Sequence, residues 1–220
     1  NKTEHGIMVQ DTAWDGYEEI PAWIMQGYGT MAMEAGEQLK EYGCERPTHI
    51  FVQAGVGSLA GAVVGYFSNL YADNPPAFVV VEAEAAACLY KGAAAGDGQI
   101  RIVDGDMETI MAGLACGEPN TISWDILKNH VKVFIAAPDW AAANGMRMLG
   151  APIKGDAPVT SGESGAAPFG ALAAVMTMDE YKDLRNDIGL DASSKVLLFS
   201  TEGDTDPDRY KNIVWKGLDK

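Results

Sequence analysis

The chain has 220 residues, of which 47% are hydrophobic and 21% charged, with 31 acidic against 16 basic side chains. This length and composition suffice for one compact core, or for one domain with part of another, and are typical of an α/β enzyme rather than of a disordered or fibrous chain. The formal net charge of −15 repels phosphate backbones and anionic lipid, which argues against a nucleic-acid or membrane role.

Three cysteines, Cys44, Cys88 and Cys116, show no metal-ligand spacing such as C-x-x-C, so the sequence predicts no metal site. Their odd number argues against a secreted disulfide scaffold, and a reducing, cytoplasmic location is expected. Cys88 and Cys116 both fall in the irregular middle of the chain, and a disulfide bridge between them stays open.

The hydrophobic pattern predicts short buried strands that alternate with helices. Residues 6–10 form a further strand-like stretch. Two segments without clean periodicity, 94–121 and 151–165, are predicted as long loops, and the first of them as a functional loop or lid. Strands that are each followed by a helix indicate an α/β fold with a doubly wound, mainly parallel sheet. The predicted strands span 49–53, 77–82, 131–136 and 196–201, and the predicted helices 58–72, 85–95, 139–149 and 165–175.

The strongest local signal is a glycine-rich run, residues 55–61 (GVGSLAG), directly after the strand predicted at 49–53. Glycines let backbone amides converge on an anion, and the dipole of the following helix favours negative charge. No Walker lysine follows the run, so an ATP-type P-loop is not predicted. The spacing alone leaves open a dinucleotide site, or a packing turn without any ligand.

The order of several motifs along the chain narrows these alternatives. The run 26–30 (QGYGT) leads into a predicted helix, and the glycine run, the segment 79–82 (VVVE) and the run 161–167 (SGESGAA) follow in that order. This order resembles the large domain of pyridoxal-phosphate (PLP) dependent serine and threonine dehydratases, which have the tryptophan synthase β fold. The resemblance covers nearly the whole chain and implies PLP as the cofactor.

Cofactor-binding residues follow from this resemblance. Ser164 would lie near the pyridine nitrogen, where a neutral hydroxyl leaves that nitrogen largely unprotonated and favours β-elimination. The neighbouring Glu163 is the alternative group for this position, and a helix N-cap is the alternative role for Ser164. The cofactor phosphate would be held by the backbone amides of Gly55, Val56, Gly57, Ser58 and Leu59.

Two further stretches resemble one family within this group, the diaminopropionate ammonia-lyases. These are residues 9–17 (VQDTAWDGY), followed by Ile20-Pro21, and residues 111–119 (MAGLACGEP). The resemblance implies a homodimeric lyase that converts D- and L-2,3-diaminopropionate and water to pyruvate and ammonia. The alternatives are a related PLP serine/threonine dehydratase or threonine synthase, and a non-catalytic nucleotide-binding domain.

Asp11 is the predicted catalytic residue. An enzyme that accepts both enantiomers needs bases on opposite faces of the substrate, and the cofactor-bearing lysine serves only one face. A carboxylate can be the other base, or can bind the distal ammonium of the substrate. Asp15 is the competing candidate, and a turn or capping role stays open for either aspartate.

In the family that the chain resembles, the Schiff-base lysine lies in a segment that precedes all of these motifs. The expectation is therefore that the chain is the C-terminal portion of a longer protein and supplies most of the large PLP-binding domain. The small domain and the N-terminal segment would lie outside it, and the chain alone would be inactive. Six lysines lie in polar sequence contexts that predict exposure to solvent, and none of them lies in the lysine motif of the family. These are Lys40, Lys91, Lys128, Lys132, Lys154 and Lys182.

Overall fold

The computed structural model describes residues 6–219, which form helices around one parallel sheet. Short 3-10 turns occupy Glu84–Ala86, Ala112–Leu114 and Asp179–Tyr181. The elements in chain order are α1 (Glu19–Glu41), β1 (His49–Gln53), α2 (Ser58–Leu70), β2 (Ala77–Ala83), α3 (Cys88–Ala95), α4 (Thr121–His130), β3 (Val131–Ala137), α5 (Asp139–Gly150), α6 (Glu163–Thr177), α7 (Lys182–Ile188), β4 (Val196–Leu198) and α8 (Pro207–Val214).

The four strands pair in the order β3-β2-β1-β4, and every pairing is parallel. Alternate side chains of a strand point to opposite faces, so the sheet contributes to two cores. Phe51 and Val79 pack with the residues of α5 and α6, whereas Ile50 and Val80 pack with those of α1, α2 and α4. The predicted doubly wound α/β fold is confirmed.

Two sequence predictions about strands are corrected. Residues 6–10 form no strand, and Ile7 and Val9 are 83% and 69% exposed, because this apolar stretch adds to neither edge of the sheet. The fourth strand ends at Leu198 rather than at residue 201. Beyond it the Gln53 side chain, not the β1 backbone, binds the Phe199 carbonyl, and the chain turns away from the ladder.

The packing of α5 against α6 is set by small residues. A Cβ added at Gly145 would collide with the Ala166 carbonyl oxygen, and one at Gly170 with the Ala141 carbonyl oxygen. The two helix backbones are therefore in direct contact, and interiors packed this closely do not yield easily. The first turn of α6, which carries Ser164, therefore packs directly against α5.

Candidate active site

A cavity of about 510 Å³ opens where β1 and β4 end. Ligands of open parallel sheets bind beyond the carboxyl ends of the strands, where the loops diverge. Residues from six separate segments of the chain line this cavity. Its lining consists of Asp11, Tyr28, Met31, Gln53, Ala54, Gly55, Val56, Gly57, Ser58, Leu59, Gly113, Leu114, Cys116, Ser164, Thr201 and Glu202.

The glycine loop at residues 55–59 presents backbone donors to this cavity. None of the hydrogen bonds in the described part of the chain uses the amides of Gly55, Gly57, Ser58 or Leu59 as donors. The first amides of a helix have no intrahelical acceptor, and the helix dipole adds a partial positive charge there. The start of α2 is therefore suited to bind an anion.

The loop is also tightly enclosed, which explains its glycines. Gly57 has φ of +101°, a left-handed conformation that L side chains rarely adopt. A Cβ at this position would lie 3.0 Å from Ser123 Oγ, and one at Gly55 would lie 3.3 Å from the Gly113 carbonyl oxygen. The backbone can approach a ligand here because no side chain intervenes.

Asn120 joins the glycine loop to the segment that carries Asp11. Its fully buried side chain donates to the Asp11 carbonyl oxygen (2.6 Å) and to Ser58 Oγ (2.9 Å), and Ser58 Oγ donates to the same carbonyl (2.9 Å). The Asn120 Oδ1 accepts from the Ser123 amide and so caps α4. Asn120 is not among the residues predicted from the sequence; an asparagine before a helix is a signal that could have indicated the cap, but no local signal indicates the tie to Asp11.

We expect Asn120→Ala to lower the unfolding free energy by about 2–4 kcal/mol, because buried partners lose their hydrogen bonds and α4 loses its cap. Denaturant unfolding followed by circular dichroism measures this. Asn129→Ala, an exposed asparagine on the same helix, is the control and should change the free energy by less than about 0.5 kcal/mol. Equal unfolding midpoints for the two variants would contradict the role of Asn120.

Asp11 lies in the cavity and Asp15 does not. Asp11 is one of the lining residues, and its charge adds to the effect of burial in raising the pKa of Tyr28 and of Cys116. Asp15 is exposed in the turn between Trp14 and Tyr17, whose rings stack 4.5 Å apart outside the cavity. The structure thus brings Asp11, and not its competitor, together with the glycine loop.

Ser164 lies in the first turn of α6, which begins at Glu163 with Gly162 as its N-cap. The alternative reading of Ser164 as the N-cap is therefore wrong. Ser164 lines the cavity. Its Oγ is buried and has no hydrogen-bond partner among the described residues. The carboxylate of Glu163 instead pairs with Arg209 (3.3 Å) outside the cavity lining, whereas Glu202 accepts from the Ser164 amide.

Gln53, at the end of β1, is a site residue that the sequence patterns did not indicate. It is buried, and its Nε2 donates to the Phe199 carbonyl (3.0 Å) and to Thr201 Oγ1 (2.8 Å). Its Oε1 has no partner in the described residues. Buried polar atoms are nearly always paired, so the unpaired oxygens of Gln53 and Ser164 in one cavity lining indicate a place for a polar ligand.

The cysteines considered in the sequence analysis form no disulfide bridge, and none of the lysines considered there is part of the cavity lining. Cys88 and Cys116 are free thiols, and Cys88 Sγ lies 3.5 Å from the Cys116 carbonyl oxygen, so the possible disulfide bridge between them is not formed.

No lysine of residues 6–219 lines the cavity. Over the same range, no group of three or more His, Cys, Asp or Glu side chains could hold a metal ion, and no helix has the length and apolarity needed to cross a bilayer. The six lysines considered from the sequence are all exposed.

Comparison with known proteins identifies the family. The model of the family "pyridoxal-phosphate dependent enzyme" matches residues 8–197. Diaminopropionate ammonia-lyase of Salmonella typhimurium is 56% identical over 217 residues, which are 98% of this chain and 54% of that relative. The chain spans about half the length of the curated relatives it matches.

Solved structures show the same similarity. The Escherichia coli diaminopropionate ammonia lyase in complex with an aminoacrylate-PLP azomethine reaction intermediate superposes with a TM-score of 0.87 at 47% identity, covering 96% of this chain and 53% of that one. The complex of the Escherichia coli enzyme with D-serine gives a TM-score of 0.86 at 45% identity over 96% of this chain and 52% of that one. This chain belongs to the family of pyridoxal-phosphate-dependent enzymes.

Proposed function

We propose that this chain is the phosphate-binding portion of a PLP-dependent ammonia-lyase. The complete enzyme would convert D- and L-2,3-diaminopropionate and water to pyruvate and ammonia. The observation that carries this proposal is the convergence of Asp11 and the glycine loop on one cavity, in a chain 56% identical to a diaminopropionate ammonia-lyase. When a cofactor occupies part of a cavity of about 510 Å³, the space that remains suits a small amino acid as the substrate.

The residues of the cavity fit PLP. The free amides of the glycine loop suit its phosphate, and the unpaired Ser164 hydroxyl is a donor for the pyridine nitrogen. When bound, PLP supplies an electron sink for negative charge that develops at the substrate Cα. A neutral hydroxyl beside the ring nitrogen moderates this sink, which favours elimination of a β-substituent.

Asp11 would act directly on the substrate. Its backbone is fixed by two hydrogen bonds to its carbonyl oxygen, so the carboxylate is held at the cavity wall. From there it would accept the proton of the substrate Cα on one face, or bind the distal ammonium.

The remainder of the enzyme would supply what this chain does not contain. We propose that the cofactor-bearing lysine lies in the segment that precedes this chain in its relatives, and that most of the small domain also lies outside this chain. A cytoplasmic homodimer is proposed on the resemblance to the lyase family, and size-exclusion chromatography with light scattering on the full-length protein tests the dimer.

Pyruvate release from D- and L-diaminopropionate, serine and threonine by the full-length protein tests the substrate. We expect the highest kcat/KM for diaminopropionate. Faster turnover of serine or threonine would favour a related dehydratase, and threonine formation from a phosphorylated precursor would favour a threonine synthase. A visible absorbance band at about 410–420 nm in the purified protein is expected of bound PLP, and its absence would favour a non-catalytic nucleotide-binding domain.

A further inference from the structure

Glu82 is a buried carboxylate that the proposed chemistry does not use. It lies in β2, is 1% exposed, and does not line the cavity. Its two oxygens accept hydrogen bonds from the amides of Leu89 (2.9 Å) and Tyr90 (2.6 Å), in the first turn of α3. Glu82 therefore fixes where α3 begins relative to the sheet.

The first residues of α3 in turn contact the loops that line the cavity. Cys88 Sγ lies within hydrogen-bond distance of two carbonyl oxygens, those of Gly55 (3.9 Å) and Cys116 (3.5 Å). Leu89 Cδ1 lies 3.3 Å from the point that a Cβ at Gly57 would occupy. A displacement of the start of α3 would thus move the supports of the glycine loop.

We infer that Glu82 is a positioning residue for the phosphate site, acting through Cys88 and Leu89 to hold the glycine loop in its anion-binding conformation. The inference deepens the proposed function and rests on it, since it assumes that the loop binds the phosphate of PLP. Glu82 touches neither the cavity nor the ligand, and its effect is on the placement of the loop amides.

The burial of the Glu82 carboxylate has an energetic cost. Burial raises the pKa of Glu82 to about 7, and the amide hydrogen bonds offset only part of that rise. This cost offsets part of the stability that the two amide hydrogen bonds contribute, and a neutral amide in place of the carboxylate removes it. Glutamine, however, offers one oxygen to two amide donors, so one of the Leu89 and Tyr90 amides would lose its acceptor.

The test compares ligands with and without a phosphate. In the full-length protein freed of its cofactor, the Kd values of PLP and of pyridoxal are measured for the wild type and for Glu82→Gln. We expect the Kd of PLP to rise about tenfold or more, which corresponds to about 1.4 kcal/mol, and the Kd of pyridoxal to change less than about twofold. The ³¹P NMR signal of bound PLP should also shift in the variant.

Glu84→Gln is the matched control, because the same chemical change is made two residues away on an exposed side chain. It should leave both Kd values unchanged. Equal PLP affinity in Glu82→Gln and wild type, or an equal loss of affinity for both ligands, would overturn the inference. A wild type that does not bind PLP would instead overturn the proposed function. If Glu82→Gln does not fold, Glu82→Asp, whose side chain is one methylene shorter, takes its place. We expect this variant to lose affinity for PLP but not for pyridoxal. A proportional loss of affinity for both ligands would again overturn the inference.

Discussion

Asp11→Asn in the full-length enzyme is expected to lower kcat for one enantiomer of diaminopropionate by about 10²–10⁴-fold, the contribution typical of a general base. The other enantiomer should lose less than about tenfold, because the lysine would serve the opposite face. Asparagine keeps the shape of the side chain and cannot accept the proton. The hydrogen bonds from Ser58 and Asn120 reach the Asp11 backbone carbonyl, so they survive the substitution and the segment stays in place.

Pyruvate release is measured separately with each enantiomer. Asp15→Asn makes the same change on an exposed turn outside the cavity and should retain wild-type kcat and KM with both. A rise in KM for both enantiomers, with kcat unchanged, would assign Asp11 to binding the distal ammonium. Unchanged kinetics for Asp11→Asn would remove this residue from the mechanism.

The parts of the site that the sequence predicts are those set by local chemistry. A buried apolar run that ends in glycines, followed by helical periodicity, specifies the strand, the loop and the helix start within about 20 residues. The structure has this arrangement from His49 to Leu70. Placing Asp11 beside the loop required the resemblance to a family, since no local pattern links two segments more than 40 residues apart.

The parts that the sequence does not predict depend on contacts between distant segments. Asn120 binds Ser58 across 62 residues of chain, and Gln53 binds Thr201 across 148. A single asparagine or glutamine carries no periodic signal, and its role appears only when the carboxyl ends of the strands come together. The strand predicted at 6–10 fails for the same reason, because a short apolar stretch does not say whether a neighbouring strand is present.

The enclosure of the glycine loop makes Gly57→Ala the second large effect. Alanine at φ +101° costs about 1–2 kcal/mol in backbone strain. Its Cβ would also lie 3.0 Å from Ser123 Oγ and 3.3 Å from both Leu127 Cδ1 and Leu89 Cδ1, and crowding of this kind typically costs about 1–3 kcal/mol. Because Ser123 and both leucines are buried, the loop rather than its neighbours should move.

We therefore expect Gly57→Ala to raise the Kd of PLP by about 10–100-fold, since a loop that moves by a few tenths of an ångström no longer directs its amides at one phosphate. Equilibrium titration of the full-length protein with PLP measures this. Gly189→Ala separates strain from position, because Gly189 also has positive φ (+68°) but nothing lies within 4 Å of its missing Cβ. That control should be destabilised yet bind PLP with the wild-type Kd. Loss of affinity in both variants would attribute the effect to destabilisation of the whole domain, and loss in neither would show that the loop does not bind the phosphate.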